Sequence, residues 1–232
     1  MPLTFPVQIA KPSNIKVELV SRVIATPESI NGNSQAIRTD GGGYWRCGYE
    51  NISLIDSDTI RCARAWDGYM GGGGVKFIVP VADIRHAPRP EVGGRLMSPG
   101  PLLVTGSDPY FPEALGYASP VVVASAGAAA LRATSLNITV TRGTRVKGGQ
   151  YFSVTHPTKG RRMYRTGRVL SRVGQSAVVE IDPPLREAIS ADTSLDFDWP
   201  SFLATLVPET DTGLNIFQGR SAQISYLFRE AS

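Results

Sequence analysis

The chain has 232 residues, 42% of them hydrophobic, with 24 Lys and Arg against 20 Asp and Glu, 24 Gly and 17 Pro. That length builds one large domain or two small ones, and the glycine and proline load fits a fold of many tight turns better than a helical bundle, so an all-β protein is expected. No apolar run reaches the roughly 18 residues that cross a membrane, and two cysteines, Cys47 and Cys62, are too few for a disulfide framework or a four-ligand zinc site.

The start, Met1-Pro2-Leu3-Thr4-Phe5-Pro6, lacks the basic and then apolar layout of a secretory signal, so synthesis and first residence in the cytosol are expected. Val17, Leu19 and Val23 then alternate with Lys16, Glu18 and Arg22, the period of a strand with one buried face. The period changes over 57–70, where Cys62, Ala63, Trp66, Tyr69 and Met70 recur at helical spacing while Arg61, Arg64 and Gly68 face away. Asp56 or Ser57 can accept the free N–H groups of the first turn, and Gly71 can adopt the left-handed conformation that ends the helix. Gly71 to Gly74 precede a strand over 75–79. This is the reverse of the strand, glycine loop, helix order that cradles phosphate, so they read as a turn and not as a nucleotide site. From 86 to 116 the prolines Pro88, Pro90, Pro99, Pro101, Pro109 and Pro112 disfavour helix and central strand alike, which predicts an extended connector or arm.

Charge is distributed unevenly beyond this point. Residues 114–179 contain no Asp or Glu but hold Arg132, Arg142, Arg145, Lys147, Lys159, Arg161, Arg162, Arg165, Arg168 and Arg172, leaving 14 basic against 20 acidic residues elsewhere. A basic module set into an acidic body is the expectation. Within the module Leu136, Ile138 and Val140 alternate with polar residues, and Val178-Val179-Glu180-Ile181 runs into the stop Asp182-Pro183-Pro184. Ala222, Ile224, Tyr226 and Phe228 form a closing strand that can pair with the first ones. The layout predicted is a β body over 1–85 and 201–232 carrying the helix at 57–70, a connector over 86–116, and an inserted small basic β-barrel over 117–200.

No catalytic constellation accompanies this layout, so no enzyme activity, metal or cofactor is expected. The histidines are His86 and His156, each beside a proline-containing turn; Asp83 and His86 lack a third ligand, and no Gly-x-Ser-x-Gly elbow is present. Tyr151, Phe152 and Tyr164 sit among the arginines, an arrangement also found in barrels that hold single-stranded nucleic acid. Aromatics on alternating strands are usually core, however, and the arginines, with Arg161, Arg162 and Arg165 as the candidate partner-binding face, fit an acidic protein partner better.

Four stretches together resemble the distal tail proteins of siphophages and related phage or prophage tail-tip and baseplate subunits. They are Ile60 to Pro80, with Ala65-Trp66 and Phe77-Ile78-Val79-Pro80; Gly149-Gln150-Tyr151-Phe152-Ser153-Val154 with Arg162-Met163-Tyr164-Arg165; the run from Val179 to Ala188; and the closing Phe228-Arg229-Glu230-Ala231. The resemblance implies a tail-tube-type β-sandwich with one flanking helix and an inserted small β-barrel. It also implies assembly as a ring, hexameric in the family, that joins the tail tube to the hub and fibres. It places the protein at the virion tail tip after synthesis in the bacterial host cytoplasm, with DNA passing through unread. The alternatives are a nucleic-acid-binding β-barrel protein and a carbohydrate-binding host-attachment module, the latter requiring that Trp45, Trp66 or Trp199 form an exposed platform.

Overall fold

Strand-forming alternation and a single helical stripe dictate what is found. The computed structural model describes residues 2–7, 10–20, 23–25, 36–38, 43–81, 86–92, 95–96, 102–104, 116–118, 120–208, 213–217 and 221–231. The first elements are β1 (Asn14–Val20), β2 (Val23–Ala25), β3 (Ala36–Arg38), β4 (Tyr44–Leu54), helix α1 (Ser57–Met70), a 3-10 turn over Gly71–Gly73, and β5 (Phe77–Pro80). Next come β6 (Glu91–Val92), β7 (Arg95–Leu96), β8 (Leu102–Val104), β9 (Gly116–Ala118), β10 (Val122–Ser125), β11 (Ser135–Arg142), β12 (Tyr151–His156), β13 (Gly160–Val173), β14 (Ser176–Asp182) and β15 (Ser194–Leu195). The chain closes with β16 (Ser201–Leu206), β17 (Asn215–Phe217) and β18 (Ser221–Glu230). The protein is therefore all-β, with one α-helix among the described residues. It divides into two compact units, one made of Met1–Val81 with Ser201–Ser232 and the other of Ala82–Pro200.

The first unit is built on an antiparallel sheet in the order β1-β4-β18-β16-β5, with β17 added on β18. On β4, Trp45, Cys47 and Tyr49 point to the buried face by simple alternation. Asn51 then takes a left-handed conformation, with φ 54°, and its N–H meets Ser225 Oγ at 3.1 Å. This inserts one extra residue between the Tyr49–Tyr226 and Ile52–Ile224 pairs. The bulge resets the phase, so Ile52 and Leu54 still face inward. The layer against this face comes from α1 and the N-terminal segment rather than from a second large sheet among the described residues. Phe5 packs its ring within 5.2–5.5 Å of Tyr49, Trp66, Tyr226 and Phe228.

Local chemistry sets the limits of α1. The Asp56 carboxylate accepts from the backbone N–H groups of Thr59, at 2.8 Å, and Asp58, at 3.0 Å, and these bonds hold its pKa below the ordinary value. Gly71 closes the helix with φ 52°, its N–H donating to Asp67 O. Gly73 cannot be replaced without movement, since a Cβ there would lie 2.5 Å from Leu206 O. Residues 75 and 76, expected within the following strand, belong to this turn, and β5 begins at Phe77. The buried centre of the helical stripe is Ala63 and Met70. Trp66 is half-buried, with its ring 5.5 Å from Phe5, 6.0 Å from Phe77 and 5.3 Å from Tyr69.

The second unit holds a six-stranded sheet in the order β12-β13-β14-β11-β10-β15. Its ends meet: Ser153 and Asp196 exchange two backbone hydrogen bonds of 2.9 Å, so β12 lies beside the end of β15 and the sheet nearly closes into a barrel. Inward-facing residues fill the interior, among them Val123, Ile138, Phe152, Val154, Tyr164, Val179 and Phe197. Residues 86–90 belong to this unit. Thr144 N donates to Pro88 O at 2.8 Å, Gln150 Nε2 donates to His86 O, and Arg89 is fully buried. The rest of the 86–116 stretch is described only as short two-stranded pieces, β6 with β7 and β8 with β9. Asp83 lies outside the described residues.

Candidate functional site

The arginines of β13 were the sequence's candidate surface, and alternation along the strand decides where each one goes. Arg162 pairs in register with Val154 and Tyr164 with Phe152, so Arg162 shares the inward face with Tyr164. It is buried, donating Nε to Lys159 O at 2.9 Å. Arg161 and Arg165 lie on the opposite face. Arg161 forms an ion pair with Asp196 and also donates to Trp199 O at 3.3 Å. Arg165 Nη2 meets Asp182 Oδ2 at 3.0 Å. The three residues therefore do not form one face, and each is already engaged within the barrel.

The same holds further along β13. Arg168 makes a two-pronged contact with Glu180, at 3.1 and 2.7 Å. The hydrogen bond from Arg168 pulls the Glu180 pKa down, and the bond to Glu180 pushes that of Arg168 up. Arg89, which carried no signal in the sequence, is held in the interior by Asp198, with Nε 2.8 Å from Oδ1 and Nη2 2.9 Å from the backbone carbonyl. Its Nη1 is buried without a hydrogen-bond partner. The carboxylates of Glu180, Asp182 and Asp196 thus fold back onto the acid-free run that precedes them, while Asp198 reaches Arg89 before it. Charge is accordingly not divided as expected: the first unit carries ten basic and ten acidic residues and is no acidic body, while the second carries 14 and ten.

The histidines occupy different settings. His86 is exposed. His156 is buried, with Nε2 2.8 Å from Tyr164 Oη, and the Tyr164 oxygen accepts from Arg186 N at 3.0 Å. The other ring nitrogen, Nδ1, is buried without a hydrogen-bond partner. Burial lowers the His156 pKa, Glu187 opposes that shift and Arg162 adds to it. Glu187 is pulled upward by partial burial but held below its ordinary value by the N–H groups of Lys159 and Thr158, at 3.1 and 3.2 Å. The arrangement ties the loop after β14 to the β12–β13 turn. It presents no nucleophile and base pair.

Among the described residues no group of three His, Cys, Asp or Glu side chains could hold a metal ion, and no helix is long and apolar enough to cross a membrane. Cys47 is buried, which pushes its thiol pKa up to about 12, and Cys62 is half-buried; both are free thiols. A small apolar cavity of about 10 Å³ between Phe5, Cys62, Trp66 and Tyr226 has room for at most one water molecule. Trp45 is fully buried and Trp66 and Trp199 are partly covered, so none is an open stacking platform. No protein-family model matches the chain, and no curated protein sequence matches it.

Proposed function

We propose that the chain is a structural subunit of a tailed-phage tail tip, which closes into a ring between the tail tube and the hub and fibres and has no catalytic role. The observation that supports this most is the way the barrel is set into the first unit. Pro80, the last residue of β5, pairs with Ser201, the first of β16, so the sheet continues directly across the insertion point. The resemblance implies a β-sandwich body with a flanking helix and an inserted barrel; the inserted barrel and the flanking helix support this reading, while the described residues of the body show one large sheet. The four resembling stretches fall on α1 with β5, on β12 with β13, on β14 with the loop after it, and on β18.

A closed ring needs two different patches on each subunit, because the contact is heterologous. The edge strand β17 is a candidate for one of them. Its strand partner is β18, and Ile216 and Phe217 are 50% and 54% exposed. Apolar residues on an open sheet edge favour pairing with another chain. On this reading the protein is made in the host cytoplasm and resides in the virion tail tip, and DNA passes through its ring unread.

Electron microscopy of the purified chain, with sedimentation velocity beside it, tests the proposal. Rings are expected from the wild type and only monomers from Ile216→Ser combined with Phe217→Ser. A wild-type chain that remains monomeric at high concentration and is missing from tail particles would overturn it.

A further inference from the structure

Of the exposed basic residues of the barrel, Arg142, Arg145 and Lys147 lie at one end, while Arg132, beside Leu185, and Lys159, beside Glu187, lie at the other. At the first of these, β11 finishes at Arg142, opposite Val122, and the loop over 143–149 follows with Arg145 and Lys147 exposed. The tip of the β13–β14 hairpin lies at the same end: Val140 N donates to Gln175 O at 3.0 Å, and Arg172 donates to Val146 O. The tip exposes Val173 to 82% and Leu170 to 51%. Among the described residues, the carboxylates that come near this end, Glu180 and Asp198, are held by Arg168 and by buried Arg89. The β12–β13 ladder ends at Arg165, and backbone bonds from Gly149 N to Thr166 O and from Thr166 N to Gln150 O carry it one residue further; beyond that the outer edge of β13 from Arg168 to Val173 has no strand partner among the described residues.

We propose that this end of the barrel docks an extended acidic segment of a partner protein that carries an aliphatic side chain. An open strand edge offers backbone groups to an extended segment, and Leu170 and Val173 offer it apolar area. The surrounding arginines and the register shifts along β13 blunt the edge against neutral or basic strands, which leaves an acidic one as the favoured partner. Nucleic acid is the poorer match. Its single strands need exposed aromatic platforms, and in the barrel Phe152, Tyr164 and Phe197 are core while the exposed large apolar residues are aliphatic. The inference concerns attachment and is independent of ring closure.

The test uses the full chain and a fluorescein-labelled peptide of about ten residues, glutamates interrupted by leucines, with an oligothymidylate of equal charge as the competing probe. The peptide should bind, more weakly as salt rises. Arg145→Glu with Lys147→Glu should weaken it by about tenfold or more. Leu170→Ser with Val173→Ser should also weaken it while leaving every charge in place. All four positions are solvent-exposed, and circular dichroism checks that both variants stay folded. The proposal is overturned if the peptide does not bind, if either variant binds it as the wild type does, or if the oligothymidylate binds more tightly than the peptide. Rings retained alongside a failed peptide test would count against this inference alone.

Discussion

The two units keep their cores by different means. The first packs aromatic rings closely: Phe228 lies edge to face with Tyr49 at 5.3 Å and Phe77 at 5.5 Å, and tilted against Phe5 at 5.2 Å. The second closes a largely aliphatic barrel and ties it with ion pairs and buried polar bonds, from Arg89 with Asp198 to His156 with Tyr164. The first core draws mainly on apolar area and ring geometry, with one buried carboxylate, Glu230, which accepts from the Trp45 N–H at 3.0 Å. The second includes charges whose desolvation must be matched by their partners, so it is sensitive to the loss of either partner and to protonation.

The sharpest way to break this contrast is to damage each core. Phe228→Ala should destabilise the first unit by about 3–5 kcal/mol, the range for deleting a fully buried aromatic. Hydrogen exchange would place the loss in β4, β18 and β5. Asp198→Ala should cost the second unit about 3 kcal/mol by stranding the Arg89 charge in the interior, with accelerated exchange confined to the barrel. Equal loosening of both units by either change would show that they do not unfold separately.

Trp66→Ala should cost about 2 kcal/mol in a denaturant titration, less than a fully buried tryptophan, because the side chain is half-buried at the flank of the helical stripe. The pH response sharpens the comparison further. His156 titrates below the ordinary imidazole value of 6.5 when folded. Its contribution is therefore complete above that value and is lost as pH falls through and below it, with a slope of at most about 1.4 kcal/mol per pH unit. Thermal melts between pH 7 and pH 5 should show the barrel weakening, and His156→Gln should flatten that part of the profile. The smallest effect is expected from Arg168→Ala, a thermal midpoint close to that of the wild type, because that ion pair is solvent-exposed; a clear drop would mean that the hairpin depends on it.

Much of the local structure was legible in the sequence. The alternation around Leu136, Val178 and Ala222 marks β11, β14 and β18, and the stripe from Cys62 to Met70 with Asp56 and Gly71 at its ends marks α1. These signals are short-range: a strand repeats every two residues, and a cap acts within one turn. The phase reset at Asn51 was not legible, since a bulge is defined by the strand opposite it. Nor was the burial of Arg89, whose partner lies 109 residues away.

The candidate surface shows the same division most clearly. The sequence by itself determined that 114–179 is free of acid and that carboxylates follow at Glu180, Asp182, Asp196 and Asp198. Only the tertiary structure decided that these acids meet Arg168, Arg165, Arg161 and Arg89, which leaves Arg145 and Lys147 exposed at the far end of the barrel. Coulomb attraction depends on distance through space, and strand register, not spacing along the chain, sets that distance.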